Sequence, residues 1–486
     1  MELRPIPEMI DGLPNFCGAE AQVEQVTRAR HPVYLHETDL RLDRLRAAFA
    51  VALHMHQPLI PAGGPDLRTA EVISNLDHMV RNPGIGDSHN APVFAECYAR
   101  IGDLIAELVG AGRTPRVMLE YSGELLYGLR KMGRGDVFDR HRGITCDPRL
   151  RRYAEWLGTM WGHAVAPSTP PPDFVLHLRA WQQQFAAVFG WEALGRVRGF
   201  SPPEMHLPNH PDVAFEYVKA LKECGYRWLL VQEHSVEDLD GHGLRERHLP
   251  HRLVARNSCG EEVSIVAVIK TQGSDTKLVG QMQPFYEAQT LQRREVAGVS
   301  IPPLVTQIGD GENGGVMMNE FPSAFRQAAD RHGNEGVVAA NVTEYLELIE
   351  QAGVTEGMLP ACRPIHQAAL FAHITAWEPG AADKALEALQ RERPGFSMEG
   401  GSWTNNISWV RGYENLLTPM NKLSARFHQV LDGRPVDRGG RAYRNALFHL
   451  LAAETSCFRY WGQGFWTENG RELCRRGQEV LAHDFG

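Results

Sequence analysis

The segment VALHMHQP, residues 51–58, decides the fold class, because its pattern recurs along the chain. An apolar run that ends in polar side chains predicts a buried parallel strand with chemistry at its carboxyl end. The same pattern is found in TPRVMLEYSG (114–123), WLLVQEHS (228–235), VSIVAVIK (263–270) and PPLVTQIGDGEN (302–313). These stretches predict the strands of one parallel sheet.

Helical patterns separate the predicted strands. DLRLDRLRAAFA (39–50) predicts a helix that runs directly into the first strand, and ELLYGLRKM (124–132) and VAFEYVKALKECGY (213–226) predict helices further on. Strands that alternate with helices indicate βαβ units and an α/β fold. In such folds the functional site lies at the carboxyl ends of the strands.

The strand pattern fades after about residue 350, where four stretches predict helices: 344–353, 382–392, 421–431 and 444–457. A segment rich in Gly, Trp and Asn, residues 398–417, interrupts them. We therefore predict a catalytic domain over residues 1–350, with an irregular N-terminal segment. A helical domain over residues 351–486, with an aromatic-rich insertion, should follow it.

Composition excludes several classes of function. The chain has 486 residues and a net charge of -9, with acids and bases mixed, which argues against nucleic acid as a partner. It has no apolar run long enough to span a membrane, and its first residues do not resemble a signal peptide. Eight scattered cysteines without a C-x-x-C pair indicate reduced thiols and no structural zinc. We expect a cytoplasmic protein without metal or cofactor, and its oligomeric state is not predicted.

His54 and His56 are two residues apart at a strand end, so their side chains project to one face. Two functional interpretations are open at this point. The pair can hold a metal ion, or it can form hydrogen bonds to a polar substrate. A third interpretation is structural, with both rings bonded by neighbouring loops.

Two carboxylates are placed where catalysis is expected. Glu204 follows two prolines in GFSPPEMHLP, and prolines stiffen the loop that would hold it. Asp310 stands with Glu312 and Asn313 in a glycine-rich turn at the tip of an apolar strand. A surface loop and a plain turn are the structural alternatives. Two fixed carboxylates are the minimum requirement for cleaving a glycosidic bond.

Aromatic side chains that could stack on sugar rings are concentrated in the last third of the chain. Trp403 stands among Gly, Ser, Thr and Asn, which favours an exposed position, and Trp461 follows in a second aromatic stretch. Each of these is a candidate for substrate binding.

Together, the motifs resemble glycoside hydrolase family 57 over residues 49–467. The family's H-x-H-Q-P motif is similar to His54–Pro58, its nucleophile motif G-F-W-x-P-E is similar to residues 199–204, and its D-G-E motif is similar to residues 310–312. A strand followed by Ser-Gly resembles residues 121–126, and a histidine before a proline-rich stretch is matched by His163. A late aromatic segment resembles residues 455–466, TSCFRYWGQGFW.

This resemblance implies a distorted (β/α)7 barrel followed by a helical domain, as in the family's α-amylases, amylopullulanases, 4-α-glucanotransferases and branching enzymes. It implies a retaining mechanism on α-linked glucans, with Glu204 as the nucleophile and Asp310 as the general acid/base. The substrate-binding residues are then expected to be His54, His56, Gln57, His163, Trp403 and Trp461.

The chain departs from the family pattern at two places. Ser201 stands where the family often has tryptophan, and Gly314 and Gly315 stand where an aromatic residue often follows the acid motif. These departures leave the linkage, the chain length of the glucan and the choice between hydrolysis and transfer undefined. A metal-dependent carbohydrate enzyme, similar to a deacetylase or mannosidase, and a glucan-binding protein with altered catalysis remain the alternatives.

Overall fold

Seven parallel strands close into a barrel in the computed structural model, which describes residues 3–271, 273, 275–402, 410–461 and 463–486. We label the barrel strands in chain order: β1 Ala47–Met55, β2 Val117–Tyr121, β3 Ala154–Gly158, β4 Gly199–Phe200, β5 Trp228–Gln232, β6 Glu262–Lys270 and β7 Leu304–Asp310.

The barrel is closed but irregular. Strands β7 and β1 are paired over the whole length of β7, from Leu304 beside Ala48 to Asp310 beside His54. Strands β6 and β7 meet only at Lys270 and Thr306, and β4 is two residues long. The predicted α/β fold, a distorted (β/α)7 barrel, is thus confirmed.

Further short strands extend the barrel wall or form hairpins outside it. His251–Arg256 pairs antiparallel with β6. Ala361–Pro364 pairs with His251–Arg256, and Val236–Glu237 pairs with Ala361–Pro364. Val337–Ala339 pairs with the start of β1. Three hairpins complete the strands: Met9–Ile10 with Leu13–Pro14, Leu59–Pro61 with Val72–Ser74, and Arg294–Val296 with Val299–Ile301.

Helices surround the barrel and form the C-terminal region. Those up to residue 351 are Glu20–Thr27, Asn75–Arg81, Ala91–Gly110, Gly123–Lys131, Gly135–Cys146, Asp173–Phe189, Trp191–Leu194, Pro211–Glu223, Thr276–Gly280, Gln283–Gln289, Gly314–Asn319, Phe321–Asp330 and Val342–Gln351. The later ones are Gln367–Phe371, Ala381–Glu392, Glu414–Leu431, Arg441–Ala453, Cys457–Tyr460 and Phe465–Phe485. Among the described residues, none of these helices combines the length and the apolarity needed to cross a bilayer.

The helix predicted over residues 39–50 is wrong. This stretch holds a short 3-10 turn at Leu42–Arg44, and β1 begins at Ala47. Ala48, Ala50 and Ala52 lie in the core inside the barrel, whereas Phe49, Val51 and Leu53 lie in the core between barrel and helices. Alanine favours helices. Here, however, the small alanine side chains on every second residue fill the narrow barrel interior. Because both faces of the segment are buried, it forms a strand.

The C-terminal helical region shares its core with the barrel. Helices Glu414–Leu431, Arg441–Ala453 and Phe465–Phe485 pack on one another, and their apolar side chains belong to the same cluster as those outside the barrel. The strand Ala361–Pro364 lies beyond residue 350 and extends the barrel wall. The predicted boundary between domains at residue 350 stays a prediction.

Candidate active site

The alternation of side chains along the barrel strands places three polar residues over the barrel axis. In β1, Ala48, Ala50 and Ala52 point inward, and His54 continues that series at the carboxyl end. The same two-residue step carries Met118 to Glu120 in β2 and Ile308 to Asp310 in β7. The strand geometry thus brings an imidazole and two carboxyls together at one mouth.

His54 and Glu120 form a buried ion pair through Nδ1 and Oε2. Burial lowers the pKa of His54, but the charge and hydrogen bond of Glu120 outweigh it and raise the pKa to about 10. His54 is therefore a fixed cation near neutral pH. It lies directly beside Asp310 in the pairing of β1 with β7.

The three predicted sugar-binding histidines form one stack. The ring of His163 lies 4.1 Å from that of His56 and 4.8 Å from that of His54, in near-parallel orientation. Burial, followed by repulsion from neighbouring imidazoles, lowers the pKa values of His56 and His163 well below the usual range. One charged ring and two neutral rings therefore lie together at the mouth.

Glu204 is buried in a loop that directly follows β4, with its backbone in a left-handed conformation. Its φ is 58°, that of Met205 is 50°, and His163 on the neighbouring loop has a φ of 53°. Each such residue costs on the order of 1–3 kcal/mol, and residues of this kind cluster at functional sites. The surrounding structure therefore holds this carboxylate where the chain alone would not place it.

Ser456 fixes the Glu204 carboxylate. Its hydroxyl donates to Oε1 of Glu204 at 3.2 Å and lies 2.7 Å from Nδ1 of His163. Because a serine hydroxyl carries one proton, and that proton goes to Glu204, His163 must carry its own proton on Nδ1. A chain of donors therefore runs from His163 through Ser456 to Glu204.

Asp310 is partly exposed at the mouth, and its carboxyl is poised to hold a proton. Burial raises its pKa, and the charge of Glu120 adds to the increase, while His54 acts against it. Burial and the charge of Asp310 raise the pKa of Glu312 in the same turn. Because two adjacent carboxylates repel each other, the loss of a proton from one carboxyl disfavours the loss of a proton from the other.

Tyr460 lies close enough to both predicted catalytic residues for their charges to act on it. Burial raises the pKa of its phenol, and the carboxylates of Glu204 and Asp310 are the next two causes. Both carboxylates therefore act on one side chain, which places them around a shared space at the mouth.

A set of exposed aromatic side chains continues from Tyr460, which is 44% exposed. Trp461 is 58% exposed and Phe465 is 46% exposed, and the Trp461 ring lies 6.4 Å from that of Trp466. Large aromatic faces open to solvent beside a carboxylate mouth suit stacking on sugar rings. Trp403 lies outside the described residues, and its predicted role stays a prediction.

The start of the Gly- and Trp-rich insertion supports the Glu204 loop. Gly401 forms a β-bridge with Leu207, and Nε2 of His206 lies 2.8 Å from the carbonyl of Glu399. A side chain at Gly400 would meet the His206 ring at 2.6 Å, and its φ of +88° also requires glycine. The described part of the insertion therefore packs against the loop that carries Glu204.

Gln57 is buried below the histidine stack, with both ends of its amide in use. It donates to the Tyr98 hydroxyl at 3.0 Å and accepts from Asn75 at 2.8 Å. Its predicted contact with substrate stays a prediction. Its observed hydrogen bonds join the segment after β1 to the helices that contain Tyr98 and Asn75.

Sequence reasoning missed the roles of Glu120 and Ser456, whereas Tyr460 lies in the late aromatic segment, residues 455–466, that the sequence had already singled out. Glu120 carried a usable indication, because it is the single charged side chain in the apolar strand β2. Ser456 lies in the same aromatic segment, but its hydrogen bond to Glu204, about 250 residues earlier in the chain, could not be read from any local pattern.

The metal interpretation of His54 and His56 finds no matching ligand group among the described residues. Nδ1 of His54 faces Glu120 and Nδ1 of His56 lies 2.7 Å from Ser122. Among the described residues, the ligand atoms close enough to share an ion are instead those of Asp238, Asp240 and His242, in a loop that follows β5.

Comparisons with known proteins define the fold. No family model matches the sequence, and no curated protein matches it. The structure is similar to the 4-α-glucanotransferase of Thermococcus litoralis, with a TM-score of 0.55, 17% identity, and coverage of 90% of this chain and 60% of that one. The chain thus spans about three fifths of that enzyme's length.

Two further solved structures are covered more completely. A GH57 branching enzyme from Thermococcus kodakaraensis gives a TM-score of 0.53 and 13% identity over 90% of this chain and 88% of that one. The α-amylase AmyC from Thermotoga maritima gives a TM-score of 0.52 and 9% identity, over 90% of this chain and 93% of that one. At these identities the likeness shows a shared fold, and the fold expected from the family resemblance is confirmed.

Proposed function

We propose that this chain is a retaining enzyme of α-linked glucans, with Glu204 as the nucleophile and Asp310 as the general acid/base. The observation that carries the proposal is the mouth itself. A buried carboxylate, fixed by Ser456, shares this space with a second carboxyl whose pKa is raised. Similar structures solved for a glucanotransferase, a branching enzyme and an amylase support the substrate class.

In the first step, a carboxylate oxygen of Glu204 attacks the anomeric carbon while the Asp310 carboxyl gives its proton to the glycosidic oxygen. The bond to the leaving glucan breaks, and a glycosyl ester forms on Glu204. The hydroxyl of Ser456 holds the Glu204 carboxylate in place, and the raised pKa of Asp310 keeps its proton available.

In the second step, the ionised Asp310 accepts a proton from the incoming acceptor, which attacks the anomeric carbon and releases Glu204. Water as acceptor gives hydrolysis, and a glucan hydroxyl gives transfer. The cation of His54 beside Asp310 stabilises the carboxylate during this step. The exposed faces of Tyr460 and Trp461 offer a platform for the acceptor or the leaving chain.

Product analysis tests the proposal. The purified protein should be incubated with maltooligosaccharides of one length and, separately, with glycogen, and the products separated by size. Shorter products alone indicate hydrolysis, and longer and shorter products together indicate transfer. Binding of oligosaccharide without any product would contradict the proposal and favour a non-catalytic glucan-binding protein.

Chelation separates the proposal from the metal-dependent alternative. The two-carboxylate mechanism requires no ion, so activity should survive extensive treatment with EDTA. Loss of activity on chelation, with recovery on adding zinc, would support the alternative.

We also propose a reducing, cytoplasmic location. All eight cysteines are described, and each is a free thiol, six of them buried. Free thiols in this number suit a compartment in which disulfides do not persist.

A further inference from the structure

A second cleft opens at the opposite end of the barrel, around the amino ends of the strands. Its volume is about 940 Å³, within the range of small-molecule sites. Arg198, which directly precedes β4, lines it, whereas Glu204 follows the other end of the same two-residue strand. The cleft is thus separate from the carboxylate mouth.

Arg198 is fully buried, yet none of its three guanidinium nitrogens has a hydrogen-bond partner among the described residues. Burial, together with the charge of Arg227, lowers its pKa to about 10. A buried guanidinium without a partner is strongly unfavourable, because its hydration has been lost and nothing replaces it. An anion in the cleft would supply the missing acceptors.

Other cations in the lining surround Arg198. Arg227 is partly buried beside it, and Arg28, Arg30 and Lys222 lie at the exposed rim. Arg227 donates to the Ala29 carbonyl at 3.0 Å. The cleft therefore offers several positive charges to one ligand.

The carboxylates in the lining do not neutralise Arg198. Glu347 accepts from the backbone nitrogens of Val33, Tyr34 and Leu35, and Glu356 accepts from the Ser264 hydroxyl at 2.7 Å. Glu223 and Glu350 lie at the exposed rim, and none of the four forms an ion pair with Arg198 in the described structure.

We propose that this cleft binds a small organic molecule through a phosphate group held by Arg198 and Arg227. A guanidinium presents its donors as a planar fork that matches phosphate oxygens. Apolar side chains, Ile265, Leu346 and Leu359 among them, line the rest of the cleft. The volume leaves room for an organic portion beside the phosphate, so the ligand class is a monophosphate ester.

Thermal unfolding of the full chain tests the site, with inorganic phosphate and phenyl phosphate as probes at constant ionic strength. Both should raise the melting temperature by a few degrees in a saturable way, phenyl phosphate at lower concentration. Arg198→Met should melt higher than the wild type without phosphate, because a buried charge is gone, and should show no response to either probe.

Two further variants serve as controls. Arg149→Met removes an exposed arginine paired with Asp147, outside the cleft, and should respond as the wild type does. Glu204→Gln should also keep the response, because that residue lies at the other end of the barrel. Should Arg198→Met fail to fold, Arg227→Met should raise the phosphate concentration for half-maximal response severalfold.

Several results would overturn the proposal. One is a wild-type shift with phosphate no larger than the shift with chloride. Another is an unchanged response in Arg198→Met or in Arg227→Met, and a third is loss of the response in Glu204→Gln. A response to benzoate without one to phenyl phosphate would contradict the assignment of a phosphate.

Discussion

Glu344 near the amino end of the barrel and Asp310 at the carboxyl end differ in their partners. At the amino end, Arg116 donates to both oxygens of Glu344 at 2.9 Å and to Asp39 at 2.6 Å, and Glu347 accepts three backbone N–H groups. At the carboxyl end, Asp310 forms no ion pair with any described residue, and its pKa is raised.

The difference shows how one fold separates stability from chemistry. Buried carboxylates with a complete set of donors join loops to the barrel. Burial raises the pKa of a carboxyl without such donors, as at Asp310, so that the carboxyl holds its proton more readily, which a general acid requires. Substitutions at the amino end should therefore change stability, and those at the carboxyl end should change turnover.

The largest effect on turnover is expected for Glu204→Gln. The amide keeps the shape of the side chain but removes the attacking charge, so activity on glucans should fall by several orders of magnitude with the fold intact. Steady-state kinetics and the melting temperature should be measured together. The matched control is Glu155→Gln, a buried glutamate at the amino end that accepts from Thr343. Equal losses in both variants would remove the distinction between the two ends.

Asp310→Asn should lower cleavage of a natural glucan by about 10²–10⁴-fold, the range of general acid catalysis. A glycosyl fluoride needs no acid for its first step, so that step should be spared. Added azide should then release a glycosyl azide of retained configuration. If the rates of cleavage of both substrates fall equally and azide has no effect, Asp310 is not the acid/base, and Glu312 is the next candidate.

Ser456→Ala should reduce kcat by about 10–150-fold, because a hydrogen bond to a charged group contributes about 1.5–3 kcal/mol. The loss should appear in kcat more than in KM, since Ser456 orients Glu204. Ser424→Ala, which removes a buried serine that donates to Asp173 at 2.6 Å, controls for the loss of a hydroxyl. Unchanged kcat in Ser456→Ala would contradict the role of the donor chain from His163.

Arg116→Met should have the smallest effect on turnover and a large effect on stability. Leaving Glu344 buried without its partner should cost about 3–5 kcal/mol, while activity per folded molecule stays near the wild-type value. Denaturant unfolding and the specific activity of the folded fraction give the two quantities. Arg149→Met, which breaks an exposed pair, should lower the free energy of unfolding far less. A lowered kcat in Arg116→Met would show that the amino end also serves the reaction.

The sequence was most informative where apolar strands end in polar side chains. The polar residues that end β1 and β7 include His54 and Asp310. Because parallel strands have their carboxyl ends on the same side, the sequence predicted correctly that these two residues lie at one mouth. The strand β3 and the two-residue strand β4 were not predicted as strands, since so short a segment has no periodicity. Glu204 was selected from its prolines and the family motif, and its position directly after a strand was not predicted.

What the sequence could not provide depends on contacts between distant segments. The stack of His163 on His54 and His56, and the reach of Ser456 to Glu204, join residues more than 100 positions apart. The state of Arg198 was also not predictable, because a missing partner is a property of the folded surroundings.

The central claim is that Glu204 becomes covalently bonded to the glucan while Asp310 transfers the proton. The most direct measurement is mass spectrometry of Asp310→Asn after reaction with a maltosyl fluoride, followed by peptide mapping. A single maltosyl unit is expected on the peptide that contains Glu204, and added azide should release this unit. An unlabelled protein that still turns over the fluoride, or a label on any other residue, would contradict it.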